Sequence, residues 1–290
     1  MATLAQLSLH PATIRQVDAL DVRAKVAHQA RFPAWGIRGV EVQRYLDAGH
    51  TLDDVTQLCE RHGLKISDAG ALNDWQWTSH PPLVNRVAPP GRADEAALWA
   101  AVERFFALCA RLGVAIVVAV GAGKESGEMD DAVEGLRAIC LRAARWNLRV
   151  AYEVLGTGAR LRTYGEGWDL VRRTGCSNAG LLLDVFHFYC GGSGLDLLDR
   201  IPTDRIFLVR LSDAPSGPRE ALSGADRLMP GEGAIPLTDI VCALEAGGYR
   251  GYYSVEVVNP AYQSLPALEV ARRALTCGAA VLGIDPGAPA

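Results

Sequence analysis

The chain has 290 residues, 49% hydrophobic and 21% charged, with a formal net charge of −4. That composition supports a sizeable core and excludes a disordered chain, while the acidic balance argues against a general nucleic-acid or anionic-membrane surface. No apolar run approaches the ~20 residues that span a bilayer and no signal-like block opens the chain, so a cytoplasmic protein is expected.

Short runs rich in Val, Ile and Leu recur along the chain, each followed by a longer stretch of helical spacing. The first three are "LAQLSLH" (4–10), "IRGVEVQ" (37–43) and "LKISDAG" (64–70), with an amphipathic "LDDVTQLCERHG" (52–63) between the second and third. The long segment "NDWQWTSHPPLVNRVAPPGRA" (73–93) carries two Trp and four Pro and no periodicity. A loop of that length reads as a lid or binding segment, in which Trp75 and Trp77 either close over a ligand or pack against a subunit neighbour in a homo-oligomer. Helical spacing returns at 94–113, and "VAIVVAVG" (114–121) follows. After a helix at 130–147 come "LRVAYEVLG" (148–156), "AGLLLDVFH" (179–187) and "RIFLVRLSDA" (205–214). A helix at 236–248 precedes the last run, "GYYSVEVVN" (251–259).

Strand and helix thus alternate eight times, the pattern of a parallel sheet joined by crossover helices. In a chain of this length it predicts an α/β fold, a closed (β/α)8 TIM barrel, ahead of an open doubly wound sheet. No GxGxxG follows the first strand, so a dinucleotide-binding sheet has no support. No interior linker divides the chain, so 1–290 reads as one barrel domain with a frayed tail at 283–290. Seven cysteines in an odd, unordered spacing read as free, mostly buried thiols.

In such barrels chemistry collects where strands end on the C-terminal face. Four consecutive strands carry candidates there: Glu153, Asp184, Arg210 and Glu256, each inside an apolar run. A lone charge at that depth is costly unless paired or bound to a cation. Three carboxylates brought together do not all ionise unaided, and hard oxygen ligands suit Mg²⁺ or Mn²⁺ and tolerate Zn²⁺. The expectation is therefore a divalent metal held by Glu153, Asp184 and Glu256; separate ion pairs at the rim are the plainer reading.

The segments "YEVLG", "LDVFHFYCGG", "VRLSDAP" (209–215), "RLMPGEGAIPL" (227–237) and "YYSVEVVNP" (252–260) resemble the xylose isomerase-like TIM-barrel family. The resemblance is to its sugar phosphate isomerase/epimerase group, and it runs from the first strand to about residue 275. It implies a small, sugar-like substrate and a divalent metal on Glu153, Asp184 and Glu256. It also implies proton transfer next to a carbonyl by Glu153 and Glu256 through an enediolate, with His187 and Arg227 on the substrate. A lyase reaction, dehydration of 3-dehydroshikimate or a keto-inositol, is the neighbouring implication. Arg210 departs from the family pattern, where His or Gln stands as a further ligand. A guanidinium has no acceptor lone pair and stays protonated. Three readings follow: a metal on three carboxylates plus water, Arg210 binding the substrate, or Arg210 replacing the cation in a metal-free, sugar-binding site. His10 is a candidate substrate-binding residue at the mouth, with core or turn packing as its plainer reading; Glu41 points to the mouth too, with an ion pair as its plainer reading; and Asp213 is expected to orient Arg210 or Arg227.

Overall fold

The computed structural model describes residues 1–76, 81–86, 94–121, 128–157 and 160–285. In chain order, β1 (Leu7–Leu9), α1 (Leu20–Gln29), β2 (Ala34–Arg38), α2 (Gly39–Asp47), α3 (Leu52–His62) and β3 (Lys65–Asn73) form the first third. A short antiparallel strand, β4 (Leu83–Val84), folds back on β3 ahead of α4 (Glu95–Arg111), β5 (Ile116–Val120) and α5 (Met129–Ala144). The rest comprises β6 (Arg149–Glu153), α6 (Tyr164–Arg173), β7 (Ala179–Asp184), α7 (Val185–Cys190) and β8 (Ile206–Leu211), then α8 (Leu237–Ala246), β9 (Tyr252–Val255), α9 (Pro260–Gln263) and α10 (Ala267–Val281).

The strands lie in the order β2-β1-β9-β8-β7-β6-β5-β3-β4, and β2 also pairs with β3. That pairing closes eight parallel strands into the expected TIM barrel. Local chemistry sets the helix ends. Thr51 and Asp54 cap α3 reciprocally, the Asp54 amide donating to Thr51 Oγ1 at 3.2 Å and the Thr51 amide to Asp54 Oδ2 at 2.7 Å. Gly63, at φ 62°, ends the same helix in the left-handed conformation.

The second strand departs from expectation. It runs Ala34–Arg38, and residues 39–47 are helix rather than strand. Alternation in "VEV" suggested a strand, but Val42 is buried and Tyr45 and Leu46 pack on the core, which is helical spacing. Glu41 accordingly sits in the first turn of α2, where it pairs with Arg23 and, at 3.5 Å, with Arg38.

Strand alternation divides the interior. Val117, Val150, Leu181, Leu183 and Val209 face the helices in the large core, while Ile116, Val118, Ala151, Leu182 and Leu208 form a separate apolar plug inside the barrel. Each buried Val, Leu or Ile among these contributes about 1.5–3 kcal/mol relative to exposure. Two residues further along the same strands, the inward positions become Glu153, Asp184 and Arg210, so the polar layer rests directly on the plug. All seven cysteines are free, four of them buried. Among the described residues no helix is long and apolar enough to cross a membrane.

Candidate active site

Glu153 and Asp184 end β6 and β7, Arg210 lies on β8, and Glu256 follows β9 directly. Arg210 and Asp184 are in register, as are Arg210 and Ser254. Parallel pairing thus brings the four charged side chains to one level. With Arg227 and His187, all are 8% exposed or less, so each charge requires a counter-charge.

Arg210 supplies one. Its Nη1 lies 2.5 Å from Glu153 Oε1 and 3.2 Å from Glu256 Oε2. Its Nε–H is buried and has no partner, a donor left over for a ligand. On the other side of Glu256, His10 Nδ1 stands 3.3 Å from Oε1 and accepts from the Ala12 amide at 3.2 Å.

Asp184 meets Arg227. The guanidinium donates from Nη1 to Oδ1 at 3.1 Å and from Nη2 to Oδ2 at 2.8 Å, the forked geometry that suits a carboxylate. Oδ1 also accepts the Phe186 and His187 amides at 2.9 and 3.2 Å, so Asp184 caps α7. A strand therefore ends on this acid because the acid starts the next helix. Arg227 is held in turn by Ser212 Oγ at 2.9 Å and lies over the Phe186 ring at 4.6 Å.

The turn leading into α6 fixes where α7 sits. A Cβ on Gly156 would come within 2.0 Å of the His187 carbonyl oxygen, a contact no side chain tolerates. Gly156→Ala is expected to destabilise the protein by about 1–3 kcal/mol or more and to displace His187. Thermal unfolding, and a shift of the His187 imidazole resonances in NMR, check this.

Burial drives the Glu153 carboxyl up to about 7, against the lowering pull of Arg210. Burial pushes Asp184 the same way, but Arg227 and then His187 outweigh it and hold that carboxyl well below the usual range. Burial lowers His187 to about 4, so its imidazole is neutral near pH 7. His10 is lowered too, by burial and then by Arg210 and Arg227. The site thus holds a carboxyl poised near neutrality beside one that stays ionised.

Other expectations need correction. Asp213 orients neither arginine. Its carboxylate accepts the amides of Ala214, Gly231 and Ile235 at 2.9, 3.0 and 2.9 Å, tying down the loop that follows Arg227. Trp75 is packed inside the chain and is not exposed to meet a neighbouring subunit or swing over a ligand: it is 1% exposed, set edge-on to Tyr152, with Gly135 of α5 against its ring. Trp77, and most of the segment read as a lid, lie outside the described residues. Sequence reasoning passed over Asp68 on β3, which is buried, accepts from Ser67 Oγ at 2.6 Å, and is raised by burial while Arg210 pulls it down. It stands in an apolar run as the other acids do, so the same rule finds it.

Two of the three residues expected to hold a metal, Glu153 and Asp184, come together with His187. Glu153, Asp184 and His187 each offer a ligand atom, all within 4.8 Å of one another. Arg210 Nη1 stands between Glu256 and Glu153. His187 Nδ1 is buried without a partner, which suits an imidazole facing a cation. These three residues offer a divalent ion two oxygens and one nitrogen, with both Asp184 oxygens already accepting hydrogen bonds.

A family model described as xylose isomerase-like TIM barrel matches residues 30–277. The chain is 33% identical over 240 residues to a 3-dehydroshikimate dehydratase of Pseudomonas aeruginosa, covering 80% of this chain and 36% of that protein. The chain thus spans about a third of that relative's length. It is 28% identical over 244 residues to an inosose isomerase of Bacillus velezensis, covering 75% of this chain and 87% of the relative. A crystal structure of the IolI protein with a bound zinc atom superposes with TM-score 0.84 at 24% identity, covering 96% of this chain and 98% of that one.

Proposed function

The chain belongs to the xylose isomerase-like TIM barrel family, and on that premise we propose that it isomerises or epimerises a polyhydroxylated ketone. A keto sugar, a sugar phosphate or an inosose fits, with a proton moved at the carbon next to the carbonyl. The observation that carries this reading is Arg210 Nη1 meeting both Glu153 and Glu256. Two carboxylates held about one positive centre provide a base, an acid and a stabiliser for the anion between them.

Glu153, poised near neutrality by burial, takes the proton. The enediolate that forms places its charge against the arginine, whose unpartnered Nε–H is ready to donate to a substrate oxygen. Glu256, starting protonated on the other side of the guanidinium, gives its own proton to the enediolate, and the two carboxyl groups exchange protons with water to restore the starting state. Neutral His187 and the fixed Arg227–Asp184 pair form the wall against which substrate hydroxyls are oriented. A divalent cation held by Glu153, Asp184 and His187 would supply Lewis-acid polarisation of the carbonyl.

The test is deuterium incorporation from D₂O into a panel of inososes and keto sugars, followed by NMR. Incorporation at the carbon next to the carbonyl is expected. Because the base acts when deprotonated, the exchange rate is expected to rise with pH through about 7 and level off above it. Absence of both exchange and conversion across the panel overturns the proposal. The likeness to the P. aeruginosa dehydratase supports a second reading, in which the same proton abstraction ends in loss of water. Growth of ultraviolet absorbance from a conjugated ketone separates it from isomerisation.

A further inference from the structure

Each acid at the mouth already has a counter-charge from the chain: Arg210 for Glu153 and Glu256, Arg227 for Asp184. Arg210 cannot coordinate a metal, having no lone pair to give. Nor can it leave cheaply, because it is 5% exposed and parting it from those acids strands a buried charge. Its Nη1 occupies the point where Glu153 and Glu256 converge. A metal drawing on the same two carboxylates sits about 2.0–2.6 Å from each oxygen, hence against the guanidinium, two positive charges in a low-dielectric pocket. Only the far side remains, and there Asp184 Oδ1 is taken by two amides and Arg227, and Oδ2 by Arg227 again.

We infer that Arg210 is the resident cation of this site: it removes Glu256 from the reach of any metal, confines a divalent ion to a weak position on Glu153, Asp184 and His187, and offers its own Nε–H to an oxyanion. The ligand class for that donor is an enediolate or a carboxylate. This rests on the proposed reaction only in concerning the same carboxylates.

The experiment reads metal rather than turnover. The full chain, wild type and the variants Arg210→His and Arg210→Gln, is incubated with excess Mn²⁺ or Zn²⁺, desalted and analysed for bound metal, with affinities from calorimetric titration. Both variants place an acceptor atom where the guanidinium stood, so either suffices if the other fails to fold by circular dichroism. The wild type is expected to keep far less than one equivalent, and the variants to bind roughly 10–100-fold more tightly. One equivalent retained by the wild type, or folded variants that bind no better than it, overturns the inference. Neither result bears on deuterium exchange, which tests the reaction separately.

Discussion

Glu153→Gln is expected to slow deuterium exchange at the carbon next to the carbonyl by about 10²–10⁴-fold, the usual contribution of a positioned base. The carboxamide has nearly the shape of the carboxylate, and its oxygen can still accept from Arg210 Nη1, which now sits 2.5 Å from Oε1. Arg210 also keeps Glu256 at 3.2 Å, so the buried guanidinium is not stranded and the barrel should fold. What the variant lacks is a basic oxygen poised near pH 7. KM should move less than kcat, because the loss falls on the transition state, and the rise in rate through about pH 7 should vanish with it. Exchange at the wild-type rate in Glu153→Gln, with unchanged circular dichroism, removes Glu153 from the mechanism.

The second large effect concerns stability. Arg227→Met leaves Asp184 fully buried opposite a thioether, and breaking a buried ion pair from one side costs about 3–5 kcal/mol. For a chain of this size that amounts to a fall in Tm of roughly 10 °C. The pH dependence fixes the cause. Burial works against the Asp184 charge, yet Arg227 holds the folded pKa below the unfolded one. The resulting stabilisation is in place above the unfolded value of about 3.9 and is lost as pH falls through the folded value. The wild type should therefore keep this contribution well into acid. In Arg227→Met burial alone acts on Asp184 and raises its folded pKa above the unfolded one, so the variant gains stability as pH falls and the gap between the two proteins should narrow toward acid. A variant that melts with the wild type at pH 7 shows that the pair contributes nothing net.

Much of this was legible in the chain. Repeated strand and helix patterns depend on neighbours in sequence, and eight of them gave the barrel and its order. The acids stood out because charge inside an apolar run is costly wherever it falls. What the sequence could not convey was pairing across distance: Arg227 lies 43 positions from the carboxylate it grips, and nothing local links them. Trp75 was misread for a related reason, since its surroundings of Pro and polar residues say loop, while its packing partners Tyr152 and Gly135 come from remote elements. "VEV" at 40–42 satisfied two periodicities at once, and burial of Val42 beside Tyr45 and Leu46 decided for the helix. That His187 stands within 4.8 Å of Glu153 and Asp184, while Arg210 stands between Glu153 and Glu256, is a matter of three-dimensional order alone.

The apolar plug has a bearing on traffic. Ile116, Val118, Ala151, Leu182 and Leu208 fill the cylinder immediately beneath the charged residues, so among the described residues the passage through the barrel is blocked by side chains. A molecule that reaches the acids from the strand ends therefore leaves on that same side of the plug, not through the barrel.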